Sequence, residues 1–162
     1  MDELQVNYLF SKKNLISTEE VQIMNIIFTD DEELARKALI RVFKEIASQR
    51  KILLNPIEAK DGIETVYSIY KNYCLNPSQE VKINAIISDQ KMNYVNGTNG
   101  RLVLTQLTNI SKNYIPFFFV TAFDKNTNFF KDFDCGGIYS KSLRKKDAED
   151  IFQQILDINS DF

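Results

Sequence analysis

The strongest constraint on how this chain can fold is an alternation along its length. Short, nearly continuous apolar runs at 21–28, 52–57, 83–88, 115–120 and 137–140 are separated by longer segments of helical character. Runs of that kind suit strands buried on both faces, and amphipathic segments between them suit crossover helices, so the pattern predicts an α/β fold around a five-stranded parallel sheet. Right-handed crossovers leave a doubly wound sheet with strand order 2-1-3-4-5 as the expected topology.

The helical segments carry their own signals. Between 32 and 49, Leu34, Ala38, Leu39, Val42, Phe43 and Ile46 recur at three- and four-residue intervals, and this reads as the buried face of a helix with Asp31 as N-cap. Pro56 in the second apolar run points to an edge strand. Asp61 is positioned to cap a helix reaching about Tyr73, and 74–82 reads as a long connection. Gly97 lies in a turn before a helix over 98–110, a short polar helix is expected over 125–132, and a last helix over 145–158 should bury Ala148, Ile151, Phe152 and Ile155. Residues 1–21 form an N-terminal extension, 22–158 one domain and 159–162 a C-terminal tail.

At 162 residues, with 44% hydrophobic and 26% charged residues, the chain can bury a core without disulfides or metal staples. Twenty Lys and Arg against 22 Asp and Glu leave a net charge of -2, which gives no global field for nucleic acid. The chain contains no histidine, which excludes Ser-His-Asp and Cys-His catalysis, zinc sites with histidine ligands, and a phosphohistidine of its own. Cys74 and Cys135 form neither a CxxC pair nor a disulfide framework, which suits a reducing compartment. The amino terminus has no signal-peptide core, and the longest apolar stretch, 115–122, is far short of the roughly 20 residues a bilayer requires. The expectation is a cytoplasmic protein with no membrane association, in which the Asn-x-Ser/Thr patterns at 96–98 and 109–111 have no role.

The strands end in polar residues: Asp30 and Asp31 after the first, Asp89 after the third, Thr121 after the fourth and Lys141 after the fifth. In the order 2-1-3-4-5 the first and third strands are neighbours where the winding reverses, so three carboxylates meet in one pocket. Like charges held that close repel unless a cation sits among them, and magnesium is the hard, oxygen-preferring ion for such a site. With the Lys141 ammonium and the Thr121 hydroxyl the pocket suits a phosphorylated aspartate, since carboxylates act as nucleophiles that form aspartyl phosphates.

On these residues, together with Gly97 eight positions after Asp89, the segment 22–158 resembles the receiver domain of two-component response regulators, a flavodoxin-like fold. The resemblance implies that Asp89 accepts a phosphoryl group. It implies that Asp30, Asp31 and Asp89 hold Mg2+ with the backbone carbonyl of Lys91, that Thr121 follows the phosphoryl group as a switch hydroxyl, and that Lys141 pairs with its oxygens. The implied donor is a phosphohistidine on a histidine kinase or phosphotransfer protein. Turnover would be confined to phosphorylation and dephosphorylation of Asp89 itself, with no separate substrate. Oligomeric state stays open, a homodimer included. With four residues after 158, the expectation is either a stand-alone receiver or one excised from a hybrid kinase.

Departures from the family pattern are specific. Asn93 and Ser142 replace the usual prolines, so the peptide after Lys141 is expected to be trans. Ile138 occupies the place of the usual switch aromatic, with Tyr139 one residue later, so the threonine-to-ring coupling is either absent or rerouted through Tyr139. The span from Thr121 to Lys141 is about two residues short for the family. Lys91 excludes a phosphatase of the haloacid-dehalogenase type, which needs an acid at that spacing. No phosphate-binding glycine motif is present. The alternative from another class is a receiver-like module that is never phosphorylated and acts through protein contacts alone.

Overall fold

The computed structural model describes residues 21–75, 78, 81–92, 114–122 and 135–159. The turn at Gly97, the helices expected over 98–110 and 125–132, residues 1–20 of the N-terminal extension and 160–162 of the tail lie outside them.

The described elements run β1 (Ile23–Thr29), α1 (Glu33–Gln49), β2 (Leu53–Ala59), α2 (Gly62–Tyr70), β3 (Ala85–Ser88), β4 (Phe117–Thr121), β5 (Gly137–Ser140) and α3 (Lys145–Ile158). All pairings are parallel, in the order β2-β1-β3-β4-β5, as the alternation predicts. β2 is an edge strand, and Pro56 sits opposite Ile26 without supplying a donor to the ladder. Strand bounds move by one or two residues from the apolar runs. β2 extends past Ile57 to Ala59, because β1 continues to Thr29 and offers it a partner.

The two faces of the sheet bury separate clusters. Met24, Ile26 and Phe28 of β1 join Phe118 and Val120 of β4 beneath α1 and α3, where the ring of Phe43 lies edge-on to Phe28 at 5.5 Å and tilted to Phe152 at 6.3 Å. Ile27, Ile86, Phe117 and Phe119 face the other way and pack with Ile69 of α2. The period-two alternation of a strand assigns successive residues to opposite clusters. At Gly136 a Cβ would stand 2.4 Å from the Phe118 ring, so only glycine allows β5 to approach β4 there.

α3 buries Ala148, Ile151, Phe152 and Ile155 as its spacing predicts. α1 matches its expected face in part: Phe43 and Ile46 are buried, and Leu39 and Val42 pack against the same cluster. Its buried residues are Arg36, Ile40, Phe43, Ile46 and Ala47, whereas Leu34 is 85% exposed and Ala38 faces solvent. The cap also differs: Glu32 is the N-cap residue and makes no side-chain cap bond, while its N–H donates to Asp30 Oδ1 at 2.9 Å, so Asp31 does not cap the helix. α2 begins at Asp61, whose side chain accepts from the Glu64 N–H at 2.9 Å, and it ends three residues early, passing into a π-helical turn at Lys71–Leu75.

At the amino ends of the strands, amide side chains form a connected set. Asn55 Nδ2 donates to Asn25 Oδ1 at 2.8 Å, Asn84 Oδ1 accepts from the Asn25 backbone N–H at 2.8 Å, and Asn84 Nδ2 donates to Asn159 Oδ1 at 3.2 Å. Asn159 in turn donates to the carbonyls of Asn84 and Ile155, so the set reaches from β2 across the sheet to the end of α3.

Candidate functional site

At the opposite, carboxyl edge the strands deliver the charged residues. β1 ends at Thr29 and β3 at Ser88, and the register pairs these two residues, so Asp30 and Asp89 follow side by side. The Asp89 N–H donates to the Thr29 carbonyl at 2.8 Å, and the Asp30 N–H donates to the Ala59 carbonyl at 3.2 Å. Backbone pairing therefore continues one residue beyond the strands and fixes both carboxylates relative to the sheet.

Asp30, Asp31 and Asp89 each present a carboxylate oxygen, and these oxygens all lie within 4.8 Å of one another. Asp30 and Asp89 are buried and Asp31 is partly buried. On this geometry the three could share a hard cation, whose charge would offset their repulsion. β5 brings Lys141 into the same cluster, and the Lys141 N–H bonded to the Thr121 carbonyl at 2.8 Å locks its backbone beside the end of β4. The ammonium lies 3.0 Å from Asp89 Oδ2, 3.1 Å from Asp30 Oδ2 and 3.5 Å from Glu32 Oε2. No described peptide bond is cis, and the peptide after Lys141 is trans, as the serine at 142 predicts.

An open cavity of about 300 Å3 lies over the cluster, and its walls include Asp31, Glu32, Asp89, Lys91, Thr121 and Lys141. Lys141 also borders an adjoining cavity of about 140 Å3, where Asp30 meets the apolar side chains Ala38, Leu39 and Val42 of α1. The structure thus brings all six residues singled out from the sequence to one place. Thr121 is buried at the cavity wall and Lys91 is exposed at its rim.

The electrostatics follow from two acids sharing one base. Burial works against the Lys141 ammonium, but its bonds to Asp89 and Asp30 outweigh that and hold its pKa above the ordinary lysine value. Asp30 is affected in the opposite sense. Burial raises its carboxyl above the ordinary value, and the neighbouring Asp89 charge adds to this, although the Glu32 N–H and Lys141 pull the other way. An ammonium divided between two carboxylates neutralises neither of them fully, which leaves the cluster short of positive charge.

Two residues of the site escape the sequence reading. Glu32 extends the Asp-Asp pair toward Lys141, and its only sequence signal is its place in the run Thr29-Asp-Asp-Glu-Glu33. Arg36 is a buried base one turn into α1, in a position that the apolar spacing assigned to solvent. Ile138 and Tyr139 fall on opposite faces of β5: Ile138 packs with the Ile27 cluster and Tyr139 against the α3 side, where its hydroxyl accepts from Gln154 Nε2 at 2.8 Å. Tyr139 therefore does not occupy the place of a ring at 138.

No family model matches the sequence, and no curated protein sequence matches it either. Solved structures do. A two-component response regulator from Legionella pneumophila aligns with TM-score 0.63 and 23% identity, covering 83% of this chain and 98% of that one. A two component response regulator from Cytophaga hutchinsonii aligns with TM-score 0.66 and 12% identity over 84% of this chain and 98% of that one. The response regulatory domain of protein mrkE from Klebsiella pneumoniae gives TM-score 0.63 and 16% identity, covering 86% and 100%. The chain therefore has the fold of a response regulator receiver domain, flavodoxin-like with strand order 2-1-3-4-5. Among the described residues, no helix is long and apolar enough to cross a membrane.

Proposed function

We propose that this chain is a phosphoacceptor of a two-component or phosphorelay system, taking a phosphoryl group from a partner's phosphohistidine onto Asp89 with Mg2+ bound beside it. The observation that carries the reading is Asp89 itself: a buried carboxylate at the end of a central strand, on the wall of an open cavity, 3.0 Å from the Lys141 ammonium. Asp30, Asp31 and Asp89, with the Lys91 carbonyl, would hold the ion, which supplies positive charge to the transferring phosphoryl oxygens.

In the transfer, an Asp89 carboxylate oxygen attacks phosphorus as the bond from phosphorus to the donor imidazole nitrogen breaks, and that nitrogen keeps the electron pair. The donor histidine belongs to a histidine kinase or phosphotransfer protein, because this chain has none. Once the acyl phosphate has formed, the Asp89 oxygen no longer carries the charge that draws Lys141, and the ammonium turns to a phosphoryl oxygen. Thr121, at the cavity wall, would then bond the phosphoryl group and pull the end of β4 with it.

The test is intact mass after incubation with acetyl phosphate, with and without magnesium, beside Asp89→Asn. A single hydroxylamine-labile adduct of one phosphoryl group that needs both magnesium and Asp89 is the expected result. If no adduct forms and magnesium fails to bind, the phosphoacceptor reading falls and the chain is a protein-contact module.

A further inference from the structure

The buried base that the transfer chemistry does not use is Arg36. Its side chain is 7% exposed, and burying a guanidinium carries a desolvation penalty that an apolar residue at the same position on α1 would avoid. Its donors go to two places. Nη1 donates to the backbone carbonyl of Asp30 at 2.6 Å, and Nε donates to Glu58 Oε2 at 2.8 Å. Glu58 lies near the end of β2, and the next residue, Ala59, accepts the Asp30 N–H. Arg36 is tied to the loop from the helix side as well, because its own N–H donates to the Glu32 carbonyl at 3.0 Å.

The peptide joining Asp30 to Asp31 is thus held from both sides. The Asp30 N–H is fixed by β2, its carbonyl by the guanidinium, and its side chain by the Glu32 N–H. Holding that carbonyl fixes the orientation of the peptide from which Asp31 projects. Asp31 is the partly buried member of the carboxylate cluster, and it has no strand pairing of its own to set its direction.

We propose that Arg36, braced by Glu58, is a positioning residue for the cation site: it orients the Asp30–Asp31 peptide so that the Asp31 carboxylate converges with those of Asp30 and Asp89. This rests on the phosphoacceptor reading and specifies how the site keeps its affinity for a divalent ion. Groups one step removed from a metal's ligands commonly change affinity by about 10–100-fold when lost, and Arg36→Gln is expected to weaken Mg2+ binding within that range. Arg36→Lys, which keeps one charged donor, recovers part of the loss.

The experiment titrates Mg2+ into the full chain by calorimetry for wild type, Arg36→Lys, Arg36→Gln and Glu58→Gln, with urea unfolding in EDTA alongside. A purely structural arginine would lower the unfolding midpoint and leave the dissociation constant of the folded protein unchanged. An Arg36→Gln protein that is folded and binds Mg2+ within twofold of wild type therefore overturns the inference. If that variant does not fold, Glu58→Gln decides: trading a charge-assisted bond for a neutral one should weaken binding about threefold, and unchanged affinity refutes the brace. A wild type that binds no Mg2+ overturns the phosphoacceptor reading and this inference together, whereas a binding wild type with unaffected variants overturns this inference alone.

Discussion

Replacing Lys141 with methionine tests the charge balance of the site directly. The substitution removes an ammonium bonded to Asp89 at 3.0 Å and to Asp30 at 3.1 Å, from a side chain 22% exposed, and leaves two buried carboxylates facing each other. Each charge-assisted bond contributes about 1.5–3 kcal/mol, and the ammonium's own desolvation penalty disappears with it, so a net loss of about 3 kcal/mol is expected in the metal-free protein. For a chain of this size that corresponds to a fall of about 6–12 °C in Tm. Magnesium changes the outcome. A cation among the same carboxylates supplies the missing charge, and it no longer shares them with an ammonium, so the variant should gain more from magnesium than wild type does. The assay is thermal unfolding of both proteins by circular dichroism, in EDTA and in saturating magnesium. Equal destabilisation in the two buffers would refute the argument that Lys141 and a cation neutralise the same charges, and so would an unchanged Tm in EDTA.

Other consequences follow from the same coordinates of charge and packing. Because the folded pKa of Lys141 is raised, its contribution to stability is complete below the ordinary value of 10.5 and is lost as pH rises through the folded value. Metal-free wild type should therefore lose urea stability above pH 10.5 more steeply than Lys141→Met. Leu34→Ala should leave stability within about 0.5 kcal/mol, whereas Phe43→Ala, which opens a cavity under α1, should cost about 3–5 kcal/mol by urea unfolding. Lys51 has φ 59° just past the end of α1, where glycine is at ease, and Lys51→Gly should raise stability by up to about 1 kcal/mol in the same assay.

The sheet order and the charged edge were legible because each strand ends where apolar residues give way to Asp, Thr or Lys, and topology alone then collects those ends. The face of α1 was legible only in part, for a physical reason. Its buried side includes Arg36, which reaches Asp30 and Glu58, and a charged residue inside a packed face shifts the apparent apolar stripe toward Leu34 and Ala38. Asp31 offered a plausible cap by residue type, yet the turn is closed by Asp30, whose side chain accepts the Glu32 N–H. Both misreadings come from one source. The loop is shaped by the demands of the acidic cluster rather than by helix propensity, and no local pattern records a bond from Arg36 six residues back along the chain.

The asparagines at the far edge bear on a different problem. Apolar, buried residues of β1 lie on both faces of the sheet, so sliding the strand by two positions against β3 would still set Ile26 beside Ile87. Hydrophobicity alone cannot tell such alignments apart. The amide pairs can, since Asn25 meets Asn55 on one side and Asn84 on the other only when the three strands are in their observed alignment. A slipped sheet would take a partner from the buried Asn25 N–H and the buried Asn84 Oδ1. The asparagines thus act as address labels. By fixing where each strand starts, they also fix which residue stands at its other end, so the convergence of Asp30 with Asp89 is decided at the opposite side of the molecule.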